Sequence, residues 1–272
     1  QALAIKPDYE DAHYNLGNVL NDLGQLDAAV KSYEKALAIN PDFAEAHNNL
    51  GIALKELGQL DTAVKSYEQV LSINPDFAEA HNNLGVTFQE LGQLDSAVKS
   101  YEMALAINPD FADAYNNLGI TLRKLNQLDA SIKSYEKAIA IKPDYAEAHN
   151  NLGNTLMNLD QLDASIKSFE KALAINPDYA DAHYNLGNTL RNLDQLDAAL
   201  VSYERAIILK PDINFILGQS LHTKMQLCIW DDLPNDLNEL TKKINNNEKV
   251  IDPFSMLALI DDPEIQRKTA EI

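Results

Sequence analysis

Apolar residues recur along this chain at three- and four-residue spacings. Ala46, Leu50, Ala53, Leu54 and Leu57 keep that spacing and so fall on one stripe of a helix. After a short break, Leu60, Ala63, Val64, Tyr67, Val70 and Leu71 resume it and predict a second helix. Gly58 occupies the break, and its counterparts elsewhere are Gly24, Gly92, Asn126, Asp160 and Asp194. These residue types tolerate a left-handed backbone, so the column marks a helix C-terminus. Pro41 ends the preceding helix, and Asp42 is the expected N-cap of the next, with Glu45 three residues on. Neither helix can bury its stripe alone, whereas stacked copies of the pair can.

The pair is repeated. Pro7, Pro41, Pro75, Pro109, Pro143, Pro177 and Pro211 stand 34 residues apart, each followed by Asp. The copies run 10–43, 44–77, 78–111, 112–145, 146–179 and 180–213. Residues 1–9 match the end of one more copy, so the array is expected to have extended further upstream. The expected fold is all-α: a right-handed superhelix of antiparallel helix pairs closed by a non-repeat helical cap.

The order and spacing of Asn49-Leu50-Gly51, Leu54, Gly58, Leu60, Ala63, Tyr67, Val70 and Pro75 resemble the tetratricopeptide repeat signature across residues 1–213. The column where that family usually carries Trp holds His13, His47, His81, Tyr115, His149 and His183. These rings sit one per copy, too far apart to share a metal, and are expected to pack between helices. The resemblance implies that one face of each first helix lines a groove for protein or peptide ligands.

On that face Asn15, Asn49, Asn83, Asn117, Asn151 and Asn185 form a column of poor helix formers. A ladder of amides can pair with the backbone of an extended peptide whatever its side chains. The same amides can instead bond between adjacent copies and stiffen the stack. Asn18, Asn154 and Asn188 lie one turn later, and Lys55, Gln89, Arg123 and Arg191 belong to a variable column suited to setting specificity. A chaperone-type clamp on a C-terminal carboxylate would use similar asparagines. Here, however, Asp11, Glu45, Glu79, Asp113, Glu147 and Asp181 would repel such an anion.

Beyond Pro211 the period lapses. Helices are expected over 214–229 and 232–244, with 214–246 capping the array and 247–272 opening a linker to a further region. Leu221-His222, Met225, Cys228, Trp230 and, later, Pro253-Phe254, Leu257, Asp262-Pro263-Glu264 and Gln266 resemble the segment that follows the repeats in bacterial relatives of O-GlcNAc transferase. That resemblance implies a substrate-recognition module whose parent transfers a sugar from a UDP-sugar, with the catalytic residues outside this chain. Cys228, inside an apolar run, is expected to be buried. Asp231-Asp232 and Asp261-Asp262 read as helix caps.

Composition narrows the classes. The chain has 272 residues, 41 Asp plus Glu against 22 Lys plus Arg, a formal net charge of -19, and 46% apolar residues. The apolar fraction excludes a disordered chain. The acidity argues against nucleic acid as a partner, since phosphate binding needs a basic face. No apolar run is long enough to span a membrane. No phosphate loop or nucleophile motif is present, so a non-catalytic chain with no cofactor is expected. Its partners are then protein or peptide segments, with self-association through the exposed ends of the array also open, and the expected location is cytoplasmic.

Overall fold

The computed structural model describes residues 9–272, so all but Tyr9 of the expected partial copy at 1–9 lies outside the described residues. Every regular element among the described residues is a helix, and consecutive helices pack as pairs. The chain divides into two units, 1–143 and 144–272.

The first unit holds four hairpins: α1 (Glu10–Asp22) with α2 (Leu26–Ile39), α3 (Ala44–Glu56) with α4 (Leu60–Ile73), α5 (Ala78–Glu90) with α6 (Leu94–Ile107), and α7 (Ala112–Lys124) with α8 (Leu128–Ile141). The closeness of each pair is set by a glycine facing an aromatic ring. A Cβ added to Gly85 would lie 2.6 Å from Tyr101 Cε1, and one added to Gly119 would lie 2.6 Å from Tyr135 Cε1. The rings are fully buried, as are Ala63, Val70, Ala97 and Ala104 of the second helices, and Ala97 shares a core with Tyr101. A single core joins Tyr33 of the first copy, Leu50, Leu54 and Tyr67 of the second and Leu84 of the third. Burial is thus shared between hairpins, as the lone stripes require.

Each hairpin turn uses the left-handed position that the break column predicts. Gly24, Gly58 and Gly92 have φ of 69°, 73° and 74°, and Asn126 takes the same conformation at 59°. The Gly58 N–H donates to Lys55 O (2.9 Å) and the Gln59 N–H donates to Leu54 O (2.9 Å), which satisfies two end carbonyls in a Schellman arrangement.

The other end of the pair differs from expectation. Asp42 is not the N-cap: α3 opens at Ala44 with Phe43 at the cap position and no side-chain cap bond. Asp42 lies instead in the turn before it, where its N–H donates to Asn40 Oδ1 (3.2 Å). The histidine column ties the same turn by another bond. His47 Nε2 lies 2.9 Å from Pro41 O, and His81 Nε2 lies 3.0 Å from Pro75 O, so each half-buried ring donates to the turn that precedes its own helix.

The second unit begins with α9 (Ala146–Asn158) paired with α10 (Leu162–Ile175) and α11 (Ala180–Asn192) paired with α12 (Leu196–Leu209). Asp160 and Asp194 supply the left-handed turns at φ 58° and 59°. Four further helices follow: α13 (Ile216–Gln226), α14 (Leu233–Asn245), α15 (Pro253–Leu257) and α16 (Pro263–Glu271). Leu221, Leu240, Ile244, Val250, Ile251, Met256 and Ile265 share one core, so the stretch from 247 onward is packed chain. The loop 249–251 is tied to the start of α13, with Phe215 N–H donating to Lys249 O (2.6 Å) and Gly218 N–H to Val250 O (2.9 Å). Asp252 and Asp262 cap α15 and α16 through Ser255 N–H (2.8 Å) and Glu264 N–H (2.9 Å). Asp232 instead accepts from the Asn235 amide (2.6 Å) and its side chain caps no backbone N–H.

Cys228 is exposed, contrary to its apolar setting in sequence. The reason is local: α13 stops at Gln226, and Cys228 takes the left-handed position after it (φ 57°). Its N–H donates to Met225 O, and that of Ile229 to Lys224 O. The adjacent Trp230 is about half exposed.

Two outcomes follow from this packing. Gly85→Ala forces a methyl into the Tyr101 ring and should cost about 1–3 kcal/mol, read as a fall in denaturant midpoint. Gly92→Asn, with nothing within 4 Å of an added Cβ and Asn126 as precedent for the backbone, should cost less than about 1 kcal/mol. Alkali supplies the second. Burial, then the neighbouring Tyr14 and Asp22, pushes the Tyr33 phenol up to about 12, and burial likewise raises Tyr67, Tyr101 and Tyr203. A raised phenol favours the neutral form in the folded state. Its stabilisation is complete below the unfolded value of about 10 and is lost as pH climbs from there through the folded values. Melting temperature should therefore decline above about pH 10, with the share of phenolate absorbance that Tyr→Phe variants assign to Tyr33, Tyr67, Tyr101 and Tyr203 appearing together with loss of helix rather than before it.

Candidate functional site

The first helix of each hairpin presents the asparagine column. In the first unit, Asn49 Nδ2 donates to Asn18 Oδ1 (2.9 Å) and Tyr14 Oη (3.2 Å). Asn83 Nδ2 donates to Asn48 Oδ1 (3.1 Å), and Asn117 Nδ2 to Asn82 Oδ1 (3.2 Å). In the second unit, Asn185 Nδ2 donates to Asn150 Oδ1 (3.1 Å). Each bond runs from one copy back to the copy before it, so these amides bridge repeats. Asn151 is buried, and Asn15, at the start of the described chain, is exposed. The acceptors Asn48, Asn82 and Asn150 lie outside the ladder that the sequence predicts. The signal for them is the doublet Asn48-Asn49, Asn82-Asn83, Asn150-Asn151, whose first member is the more deeply buried in each.

A second bolt also escapes sequence reasoning. Buried Thr87, Thr121 and Thr189 each donate to the ladder residue's own carbonyl one turn back. Thr121 Oγ1 also lies 2.6 Å from the Gln89 side-chain amide, and Thr189 Oγ1 reaches Met157 Sδ (3.3 Å). The variable column is therefore partly engaged between copies. Lys55 adds an ion pair to Glu90 at 3.8 Å, part-exposed and worth little by itself. Arg123 and Arg191 are half-buried, and the Arg191 charge reaches the Tyr203 phenol.

The asparagines one turn later fall into two states. Asn18 Oδ1 accepts from Tyr33 Oη (2.9 Å) and Asn188 Oδ1 accepts from Tyr203 Oη (2.8 Å), each within its own hairpin. In the fifth copy the ring is Phe169, which has no hydroxyl to offer, although it packs on Gly153 as the tyrosines pack on their glycines. The Asn154 amide is therefore not held by its hairpin. It lines an open hollow of about 650 Å³ with Asn150, Asn185, Tyr184, Asp181 and Lys210. Lys210 Nζ stands 3.6 Å from Asp181 across this wall. Four amides with Asn214, a phenol, the opposed charge pair and the further carboxylate of Asp212 give the hollow both donors and acceptors, as a polypeptide backbone requires.

Helical hairpins of this length, each locked by a glycine–aromatic contact and turned by a left-handed residue, define a repeat protein of stacked helix pairs. Family models for the TPR repeat match residues 17–58, 53–92, 120–160 and 153–194, and models for the tetratricopeptide repeat match 78–111, 100–133 and 180–213. The chain belongs to the tetratricopeptide repeat family. Among solved structures it is similar to MamA, at 27% identity over 63% of this chain and 94% of that one, with a TM-score of 0.56. It is also similar to YrrB, described as a TPR protein with an unusual peptide-binding site, at 26% identity over 72% and 99% of the two chains and a TM-score of 0.57. PilF of Pseudomonas aeruginosa shares the fold at 17% identity, 80% and 97% coverage and a TM-score of 0.69. No curated protein matches the chain significantly. Among the described residues, no helix is long and apolar enough to cross a membrane.

The inter-repeat bond has a measurable weight. Asn83→Ala removes the Asn48 partner and should cost about 1 kcal/mol, more if the Asn48 carbonyl cannot reach water. Asn15→Ala, at an exposed position, should leave the thermal midpoint within experimental scatter.

Proposed function

We propose that the chain is a protein-interaction module that takes extended protein or peptide segments along the amide-bearing face of its first helices. The observation that carries this reading is the hollow around Asn154. An amide released by the Tyr-to-Phe change at 169 sits there beside Asn150, Asn185 and Tyr184 in open space. In Asn83, Asn117 and Asn185 the ladder bond uses one of the two N–H groups and the second is open to a ligand, so stacking and peptide capture are compatible in the same side chain, whereas Asn49 spends its amide on both Asn18 and Tyr14. The peptide-binding site named for YrrB supports the same class of ligand.

A finer reading places these repeats as the substrate-recognition part of a protein glycosyltransferase similar to O-GlcNAc transferase. It rests on the tail residues from Leu221 to Gln266 alone, and the likeness to MamA, YrrB and PilF adds nothing to it. The reading frame downstream of Ile272 tests it: a two-lobed nucleotide-sugar domain there supports the link, and any other continuation removes it.

Extended peptides selected from a random library and measured by fluorescence anisotropy test the binding face. Asn154→Ala should weaken them at least tenfold with the thermal midpoint unchanged. Phe169→Tyr restores the hydroxyl found in the other five copies, should engage Asn154 and should lower affinity while the fold is kept or strengthened. Unchanged affinity in both variants removes Asn154 from the site.

A further inference from the structure

The six copies differ most tellingly on the outer face of their second helices. Lys31, Lys65, Lys99, Lys133 and Lys167 occupy one position in the first five copies, and the sixth has Val201. Seven residues on, Ala38, Ser72, Ala106, Ala140 and Ala174 are followed by Ile208. Both replacements lie on α12, and both point into solvent: Val201 is 67% exposed and Ile208 is 72% exposed. A charged and a small position have each become branched aliphatic on one helix, two turns or about 10 Å apart.

Beside Ile208, helices α12, α13 and α14 enclose a recess of about 330 Å³. Ile207, Ile208, Leu217 and Leu221 line its walls. Its rim is acidic. Lys224 is consumed by Asp236, with Nζ 3.0 Å from Oδ2 and both side chains largely covered. Glu204 and Glu239 remain, and neither has an ion pair among the described residues. Glu204 stands on α12 between Val201 and Ile208, so carboxylate and apolar side chains alternate along the same face.

We propose that this face is a docking surface for a basic amphipathic helix of a partner protein. The apolar stripe of such a helix, at i, i+4 and i+7, matches the two-turn separation of Val201 and Ile208 and reaches the recess. Lysine or arginine flanking the stripe pairs with Glu204 and Glu239 and finds its counter-charge already in place. A second copy of this chain suits the face poorly, because each copy brings a net charge of -19 to the encounter. The surface is separate from the amide face, and it stands or falls without it.

The test uses the full chain and a displayed library of random peptides about 14 residues long, roughly four helical turns. Selected sequences are synthesised and measured by fluorescence anisotropy. The variants are Val201→Lys with Ile208→Ala, which restore residues that other copies carry at these positions, and Glu204→Lys with Glu239→Lys. Selected peptides should carry Lys or Arg around a helical apolar stripe and become helical on binding. They should lose at least tenfold in affinity to either double variant, weaken with salt, and be indifferent to Asn154→Ala. The proposal is overturned if the selected peptides lack net positive charge, or if no peptide distinguishes the native chain from Val201→Lys with Ile208→Ala. It is equally overturned if the native chain sediments as a dimer that this variant converts to monomer, for then the occupant is a second copy. Retained thermal midpoints and circular dichroism in the variants keep each outcome attributable to the surface.

Discussion

Wherever a first helix crosses its second, a glycine without a Cβ lets an aromatic face lie against backbone, and an added methyl would meet ring atoms at 2.6 Å in the second, third, fourth and fifth copies. That approach brings the two helices of a hairpin close enough for alanines to fill the seam, which is why Ala46, Ala53, Ala63 and Ala97 are sealed from solvent. The remaining half of each stripe then has to be covered by a neighbouring copy. Stability is accordingly built from intrinsic hairpin terms and nearest-neighbour terms, and the asparagine and threonine bolts add directional bonds to an otherwise apolar joint.

Much of this is legible in the sequence because it is written several times. The spacing of Leu60, Ala63, Tyr67 and Val70 gives the second helix, and the Gly58 column gives the turn, since only a few residue types accept φ near 60–70°. Legibility fails where chemistry depends on position in space. Asp42 has the composition of a cap but sits one residue too early, in a turn tied by Asn40, and His47 ties the same turn through the Pro41 carbonyl without capping the helix. Cys228 has apolar neighbours in sequence but follows the end of its helix, so its side chain turns outward.

The candidate site is half legible. The ladder asparagines can be found from their cost to the helix, yet periodicity alone does not show whether they are spent between copies or held for a ligand. The geometry shows the first use: Asn49, Asn83, Asn117 and Asn185 each donate to the preceding copy, Asn49 to both Asn18 and Tyr14. The state of Asn154 cannot be read from its own column, because it depends on a missing oxygen fifteen residues away, at Phe169. Such second-order dependence is invisible to any rule that treats columns independently.

The lone tryptophan has an unplanned consequence for optical work. Trp230 lies beside the turn that leaves α13, partly in water, and the repeats contain no other indole. Tryptophan emission, excited at the red edge where tyrosine does not absorb, therefore reports the terminal helices and is silent on the stacked hairpins, while the far-ultraviolet signal is dominated by those hairpins. In an architecture whose cooperativity is only nearest-neighbour, two such windows need not move together, and their separation measures how tightly the last helices are coupled to the copies that precede them.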